Sequence, residues 1–180
     1  EVGVEYIRKH DEAREFPDEA YRKIAERGWL GLLIPEEFGG LEADPVMYAI
    51  FCEAIAKYSL DFAAAIMTSM FTATNIANHG TAEQREKYLP PFLAGDLKFS
   101  ISITEPNAGS DAAGLRTKAI RDGDSWIING NKTFCSGAHL PNTVIAVMAR
   151  TGEDKHKGLS MILVPNTTDG VDVRKLDTIV

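Results

Sequence analysis

The sequence predicts an α+β protein, with an all-helical N-terminal domain over residues 1–96 followed by an antiparallel β-barrel or sandwich domain over residues 97–180. Three observations predict it. Apolar residues in the first half recur at three-to-four spacing between helix-capping signals. Near Gly95 the period changes, and from Leu97 onward apolar and polar residues alternate. Beyond that point short β-rich runs are separated by Gly, Pro, Asn and Asp turns. Helices first and strands second imply two packed units.

Residues Val4 to Arg14 read as a short charged helix. Pro17, with Asp18 and Glu19 after it, marks the first turn of a second helix, where acidic side chains suit the positive end of the dipole. Tyr21, Ile24 and Ala25 share its inner face, and Gly28 caps it. Trp29 to Ile34 is an apolar stretch running into the breaker-rich Pro35-Glu-Glu-Phe-Gly-Gly40. A third helix covers Pro45 to Tyr58, with Val46, Met47, Ile50, Phe51, Ala54, Ile55 and Tyr58 on one stripe. A fourth, Leu60 to Asn78, is apolar nearly all round and belongs at the centre of a bundle. Thr81-Ala-Glu-Gln84 is a capping box for a fifth helix, which Pro90-Pro91 should stop. Strands are then predicted at Leu97–Thr104, on both sides of an Asp-Gly turn within Ala119–Ile128, after Asn129-Gly130 at Lys132–Ser136, and at Thr143–Ala149, Leu159–Val164 and Val171–Lys175.

Composition narrows the function classes. Of the residues, 44% are hydrophobic and 25% charged, ordinary for a globular protein. The net charge of -7 and the lack of basic clusters interleaved with aromatics argue against nucleic acid. Two cysteines, Cys52 and Cys135, lie too far apart in sequence to suggest a disulfide framework and have no metal spacing; both read as reduced, apolar residues of a reducing compartment. The uncharged run Phe62 to Asn78 carries Thr68, Ser69, Thr72, Thr74 and Asn75, so it reads as a core helix and not a membrane span. His10, His79, His139 and His156 are scattered without ligand spacing, His79 at a helix end and the others on the surface. No Gly-x-Gly-x-x-Gly follows a strand and there is no P-loop. Glu36-Glu37 reads as solvated charge. Glu1-Val-Gly-Val-Glu5 lacks a Met and a basic leader, and the sequence stops abruptly at Asp177–Val180. The expectation is a segment from inside a longer polypeptide.

The chemistry concentrates in Ile101-Ser-Ile-Thr-Glu-Pro-Asn-Ala-Gly-Ser-Asp111. A strand leads into a small polar turn, which can turn several backbone N–H groups and a hydroxyl toward an anion. This segment resembles the signature of the flavin-dependent acyl-CoA dehydrogenases. Gly31-Leu-Leu-Ile-Pro-Glu-Glu-Phe-Gly-Gly-Leu41 and Gly80-Thr-Ala-Glu-Gln-Arg-Glu-Lys-Tyr-Leu-Pro90 resemble the family's helical domain, and Trp126-Ile-Ile-Asn-Gly-Asn-Lys132 its β-domain. The likeness runs through essentially the whole chain.

The resemblance implies FAD as cofactor, with Ile101, Ser102, Ile103, Thr104, Gly109 and Ser110 lining the flavin from one segment and Phe134, Cys135 and Ser136 from a second. Thr104 would place a hydroxyl and backbone groups at the flavin's polar edge, where donors stabilise the charge of the reduced ring. Ser110 is implied as the contact to an acyl-CoA substrate. Where the family often has Trp and Thr, this sequence has Phe134, which keeps an aromatic wall without an indole N–H, and Ser136, which keeps a hydroxyl. Cys135 should alternate into the core. The implied reaction is α,β-dehydrogenation of a CoA thioester, with a base removing the α-proton and hydride leaving to FAD. The base and a C-terminal helical bundle are expected outside this sequence, so no catalytic residue is assigned and the β-domain is expected to be incomplete. Glu105 reads as structural. Also implied are an electron-transferring flavoprotein as acceptor, a homo-oligomer (tetramer or dimer) and a bacterial or archaeal cytoplasmic or mitochondrial matrix location. An enoyl-CoA reductase, a flavin oxidase or monooxygenase, and a non-catalytic interaction module are the alternatives, since a fold does not fix a function.

Overall fold

The computed structural model describes residues 2–176. The abrupt terminus expected at Asp177–Val180 lies outside the described residues. Among the described residues five α-helices precede five strands: α1 (Val4–Ala13), α2 (Asp18–Glu26), α3 (Pro45–Ala56), α4 (Leu60–His79), α5 (Ala82–Leu93), β1 (Lys98–Ser102), β2 (Lys118–Asp122), β3 (Ser125–Asn129), β4 (Thr143–Arg150) and β5 (Leu159–Pro165).

Local chemistry sets most helix ends. Gly28 takes the left-handed φ of 73° that closes α2. Pro17 sits one position before the helix, and its carbonyl accepts from Tyr21. Asp44 and Ser59 cap α3 and α4 by accepting from Met47 and Phe62. Thr81 and Gln84 complete both bonds of the capping box of α5. That helix runs through Pro90 and Pro91 to Leu93 and does not stop at them. A proline lacks a donor but keeps its carbonyl, and Ala94 donates to Pro90 at 3.0 Å. Phe92, fully buried, anchors the extra turn.

The helical core gathers Tyr21, Leu30, Ile34, Ile66, Met70, Leu89 and Phe92, and β1 enters it through Phe99. Between α2 and α3 the chain folds back on itself, Leu41 donating to Gly31 and Ala43 to Leu32. Any Cβ at Gly40 would fall on the Ile34 carbonyl, so only glycine fits there. The apolar stripe of α3 departs from the expected core face. Phe51 is buried, but Val46, Met47, Ile50 and Tyr58 are each more than half exposed. α4 likewise buries Phe62, Ile66 and Met70 while leaving Leu60 and Phe71 outside, so it is not buried all round.

β4 is the axis of the sheet. β5 runs antiparallel along one edge, from Val144↔Pro165 to Arg150↔Leu159. β1 runs parallel to β4 over Lys98↔Thr143 to Ser102↔Val147, and β2 meets β4 in parallel at Lys118↔Arg150. β2 and β3 form an antiparallel hairpin around Gly123 and Asp124. The α+β class stands, with a mixed sheet in place of an antiparallel one. Alternation identifies a strand and its faces but not its direction, and β1 reaches β4 only after two intervening strands. Two predicted strands do not form. Lys132–Ser136 stays out of the ladders, Phe134 taking a left-handed φ of 58°, and Val171–Lys175 joins no strand ladder among the described residues.

Candidate functional site

Helix and sheet are joined by polar contacts at β1. Tyr21 donates its hydroxyl to the Leu97 carbonyl at 3.0 Å. Lys98, largely buried, pairs with Asp18 at 3.1 Å and lies over the rings of Phe16 and Tyr21. At the other end of β1, Ser102 lines an open cleft of about 1930 Å³ between sheet and helices.

β1 ends at Ser102, and the chain then makes a tight reversal. Glu105 and Ala108 exchange backbone hydrogen bonds at 2.9 and 3.2 Å, leaving Pro106 and Asn107 at the exposed tip. Gly109 and Ser110 follow, also exposed. Asp111 starts a single 3-10 turn, Ala112–Gly114, and pairs with Lys155 at 3.5 Å. Arg150 holds this turn from the end of β4, donating to the Ala113 carbonyl at 2.7 Å.

Glu105 is the buried hub. Its carboxylate accepts from the Arg116 amide at 2.7 Å, the Thr117 amide at 2.8 Å and the Lys132 ammonium at 3.0 Å. Burial by itself would raise its pKa. The Thr117 hydroxyl, the two amides and the lysine outweigh burial and hold the carboxyl at about 2, so it stays ionised. The expected structural role of Glu105 fits this geometry, and a carboxylate so engaged is unsuited to take a proton at neutral pH.

Lys132 also donates to the Ile103 carbonyl at 3.0 Å, and the Thr133 amide donates to the Thr104 carbonyl at 3.0 Å. The segments Ile101–Thr104 and Lys132–Ser136 are therefore direct neighbours. Phe134 stands 71% exposed at the cleft. Ser102, Phe134, Cys135 and Ser136 share the cleft wall. Ile101, Ile103, Thr104, Gly109 and Ser110 are not part of it: the two isoleucines alternate to the other face of the β1 line, and Gly109 and Ser110 sit outside on the turn. Cys135 corrects its expectation. Without a strand there is no alternation to bury it; it is half-buried at the cleft, its thiol 3.6 Å from the Thr133 carbonyl.

The fold brings here three further side chains to which the sequence assigns no site role. Lys132 closes the Trp126–Lys132 motif and opens the expected strand, and nothing in its surroundings in sequence points 27 residues back to Glu105. Trp126, 42% exposed, also faces the cleft from β3. His139 lies at the cleft with its pKa lowered by partial burial and then by the charge of Lys175.

A helical layer feeds a sheet whose first strand ends in this turn, and both parts match models of one family. Residues 1–96 match the family model "Acyl-CoA dehydrogenase, N-terminal domain" and residues 100–180 match "Acyl-CoA dehydrogenase, middle domain". The chain belongs to the acyl-CoA dehydrogenase family. It is 38% identical over 169 residues to the probable acyl-CoA dehydrogenase YngJ of Bacillus subtilis, covering 91% of this chain and 43% of that protein. Its fold matches the crystal structure of a probable acyl-CoA dehydrogenase from Mycobacterium abscessus with a TM-score of 0.86 and 34% identity, over 97% of this chain and 47% of that one. A solved FAD complex of PigA matches with a TM-score of 0.85 and 25% identity, over 94% and 45%. The chain spans less than half the length of the relatives it matches. Among the described residues no helix is long and apolar enough to cross a membrane.

Proposed function

We propose that this chain supplies one wall of the flavin and acyl-CoA site of an acyl-CoA dehydrogenase. The observation that carries the reading is the Thr133–Thr104 backbone bond, which joins the two segments that the family signature assigns to the flavin. The residues present fit a planar aromatic cofactor. The Phe134 ring is held out of the core, and the hydroxyls of Ser102 and Ser136 stand on the same wall of a roomy cleft. FAD bound there would supply the hydride acceptor for oxidation of an acyl thioester.

The roles proposed for this chain's residues are binding and orientation. Ile101, Ser102, Ile103 and Thr104, with Gly109 and Ser110, form one side of the cofactor site; Phe134, Cys135 and Ser136 form the other. Ile101, Ile103 and Thr104 would act through backbone groups and packing, since their side chains are not on the cleft wall. Ser110, exposed on the turn, would meet the acyl-CoA ligand. Donors fixed in a water-poor site stabilise charge without reorganisation. The net charge of -7 would not draw in an anionic CoA ester, so its phosphates need such local donors.

We further propose domains at 1–96 and 97–180, a catalytic carboxylate and helical bundle in the part of the family that this chain does not span, a flavoprotein electron acceptor, and a homo-oligomeric parent. The outward stripe of α3 and α4 is where such further structure would pack. The test is the visible spectrum of the full-length protein. A flavin envelope bleached by one class of acyl-CoA supports the reading and names the substrate. A full-length protein that binds no flavin overturns it, and oxygen consumption without an acceptor would make it an oxidase.

A further inference from the structure

Resting on the reading of the cleft as a flavin site, we propose that Lys132 is a positioning residue. Its ammonium, held between the Ile103 carbonyl and the Glu105 carboxylate, fixes the segment Thr133–Ser136 against the end of β1 and so sets the attitude of the Phe134 ring.

The segment after Gly130 belongs to no strand ladder, so the usual source of register is missing. Contacts of three residues replace it. Gly130 lies on the Thr117 side chain, where a Cβ would collide with that residue. Lys132 reaches Ile103 and Glu105 at 3.0 Å each, and Thr133 donates to Thr104 at 3.0 Å. Two of the three lead to one point, because the Thr117 amide is itself bound by Glu105. Glu105 therefore fixes β1's end, the start of β2 and the segment after β3 together.

Burial makes the arrangement demanding. The Lys132 and Glu105 side chains are 11% and 3% exposed. A charge so placed is tolerated only with a partner, and removing one partner strands the other. An ammonium offers three donors on a flexible stem, which suits one carbonyl and one carboxylate on different parts of the chain.

The left-handed backbone of Phe134 supplies the second argument. A bulky residue there is strained and persists only where its surroundings over-determine it. The ring is 71% exposed, so side-chain packing does not enforce the conformation. Contacts of Lys132 and Thr133 before it, together with the Ala138–Cys135 turn bond after it, hold the backbone there.

The test compares full-length wild-type protein with Lys132→Met, Lys132→Arg and the distant cap variant Thr81→Ala. Three readouts are taken: the FAD dissociation constant, the shape of the bound flavin spectrum, and hydrogen exchange of the Thr133 amide without flavin. Lys132→Met should weaken FAD by about tenfold, the size of effect that loss of an outer supporting partner has at metal sites, alter the flavin envelope and expose the Thr133 amide. Lys132→Arg should recover part of each. Thr81→Ala should lower thermal stability and leave all three unchanged. If Lys132→Met does not fold, Glu105→Gln replaces it, with intermediate losses expected because Lys132 keeps Ile103. Wild-type affinity, spectrum and Thr133 protection in either variant would overturn the proposal. Absence of flavin from the wild type would instead overturn the cofactor reading, and Thr133 exchange alone would then decide whether Lys132 positions the segment.

Discussion

Ser69, on helix α4, satisfies both main-chain groups of Phe99 on β1. Its Oγ donates to the Phe99 carbonyl at 2.7 Å and accepts from the Phe99 amide at 3.0 Å. One hydroxyl thus does what a neighbouring strand would do on the edge of β1 that faces away from β4. It also ties the helical core to the strand that leads into the cleft. Ser69→Ala leaves a buried donor and a buried acceptor unpaired, at an expected loss of about 2–3 kcal/mol. Urea unfolding of the variant measures it; a loss under half a kcal/mol would mean that the hydroxyl is dispensable.

The Glu105 carboxyl gives a pH prediction. Its pKa falls from an ordinary 4.5 to about 2 on folding, so its stabilisation is complete above pH 4.5 and is lost as pH falls from there toward 2. The shift corresponds to about 3 kcal/mol. Denaturant midpoints measured across that window should fall for wild type. In Glu105→Gln they should start lower and change less.

Phe134 trades stability for shape. Replacing it with glycine removes the left-handed strain and should leave the fold about 1 kcal/mol more stable or unchanged. The same change deletes the aromatic face, so flavin affinity should drop. A thermal melt and a flavin titration on one sample would show the two moving in opposite directions; a parallel loss would place the ring in the core instead.

The capping box of α5 is separable from the site. Thr81→Ala should cost about 1 kcal/mol, read by thermal melting, with no change in flavin binding.

A fifth expectation concerns the chain of residues 1–180 alone. It should bind FAD weakly or not at all, because the proposed cleft is wide and open to solvent. Stoichiometric flavin on the purified 180-residue protein would contradict this.

How much was legible in the sequence varied with the range of the interaction. Gly28 and the Thr81–Gln84 pair act within one turn, and the helix ends they mark are where the sequence puts them. The spacing of Val46, Met47 and Ile50 showed that α3 has an apolar face but carried no information on what covers it. The prolines of α5 read as a stop, yet the helix continues because Phe92 finds its core site through tertiary packing. In the cleft, the signature turn after Thr104 could be read as a pattern. The Lys132–Glu105 pair and the backbone twist at Phe134 could not, since both depend on segments that meet only in the folded chain.

The outward face of α3 and α4 bears on how this polypeptide would behave at the bench. Ile50, Leu60 and Phe71, each over half uncovered, form a sticky surface with no charges of their own. A preparation of residues 1–180 should scatter light increasingly with concentration, bind solvatochromic dyes and be rescued by mild detergent. Lysines introduced at Ile50 and Phe71, neither of which lines the cleft, should reduce that scattering.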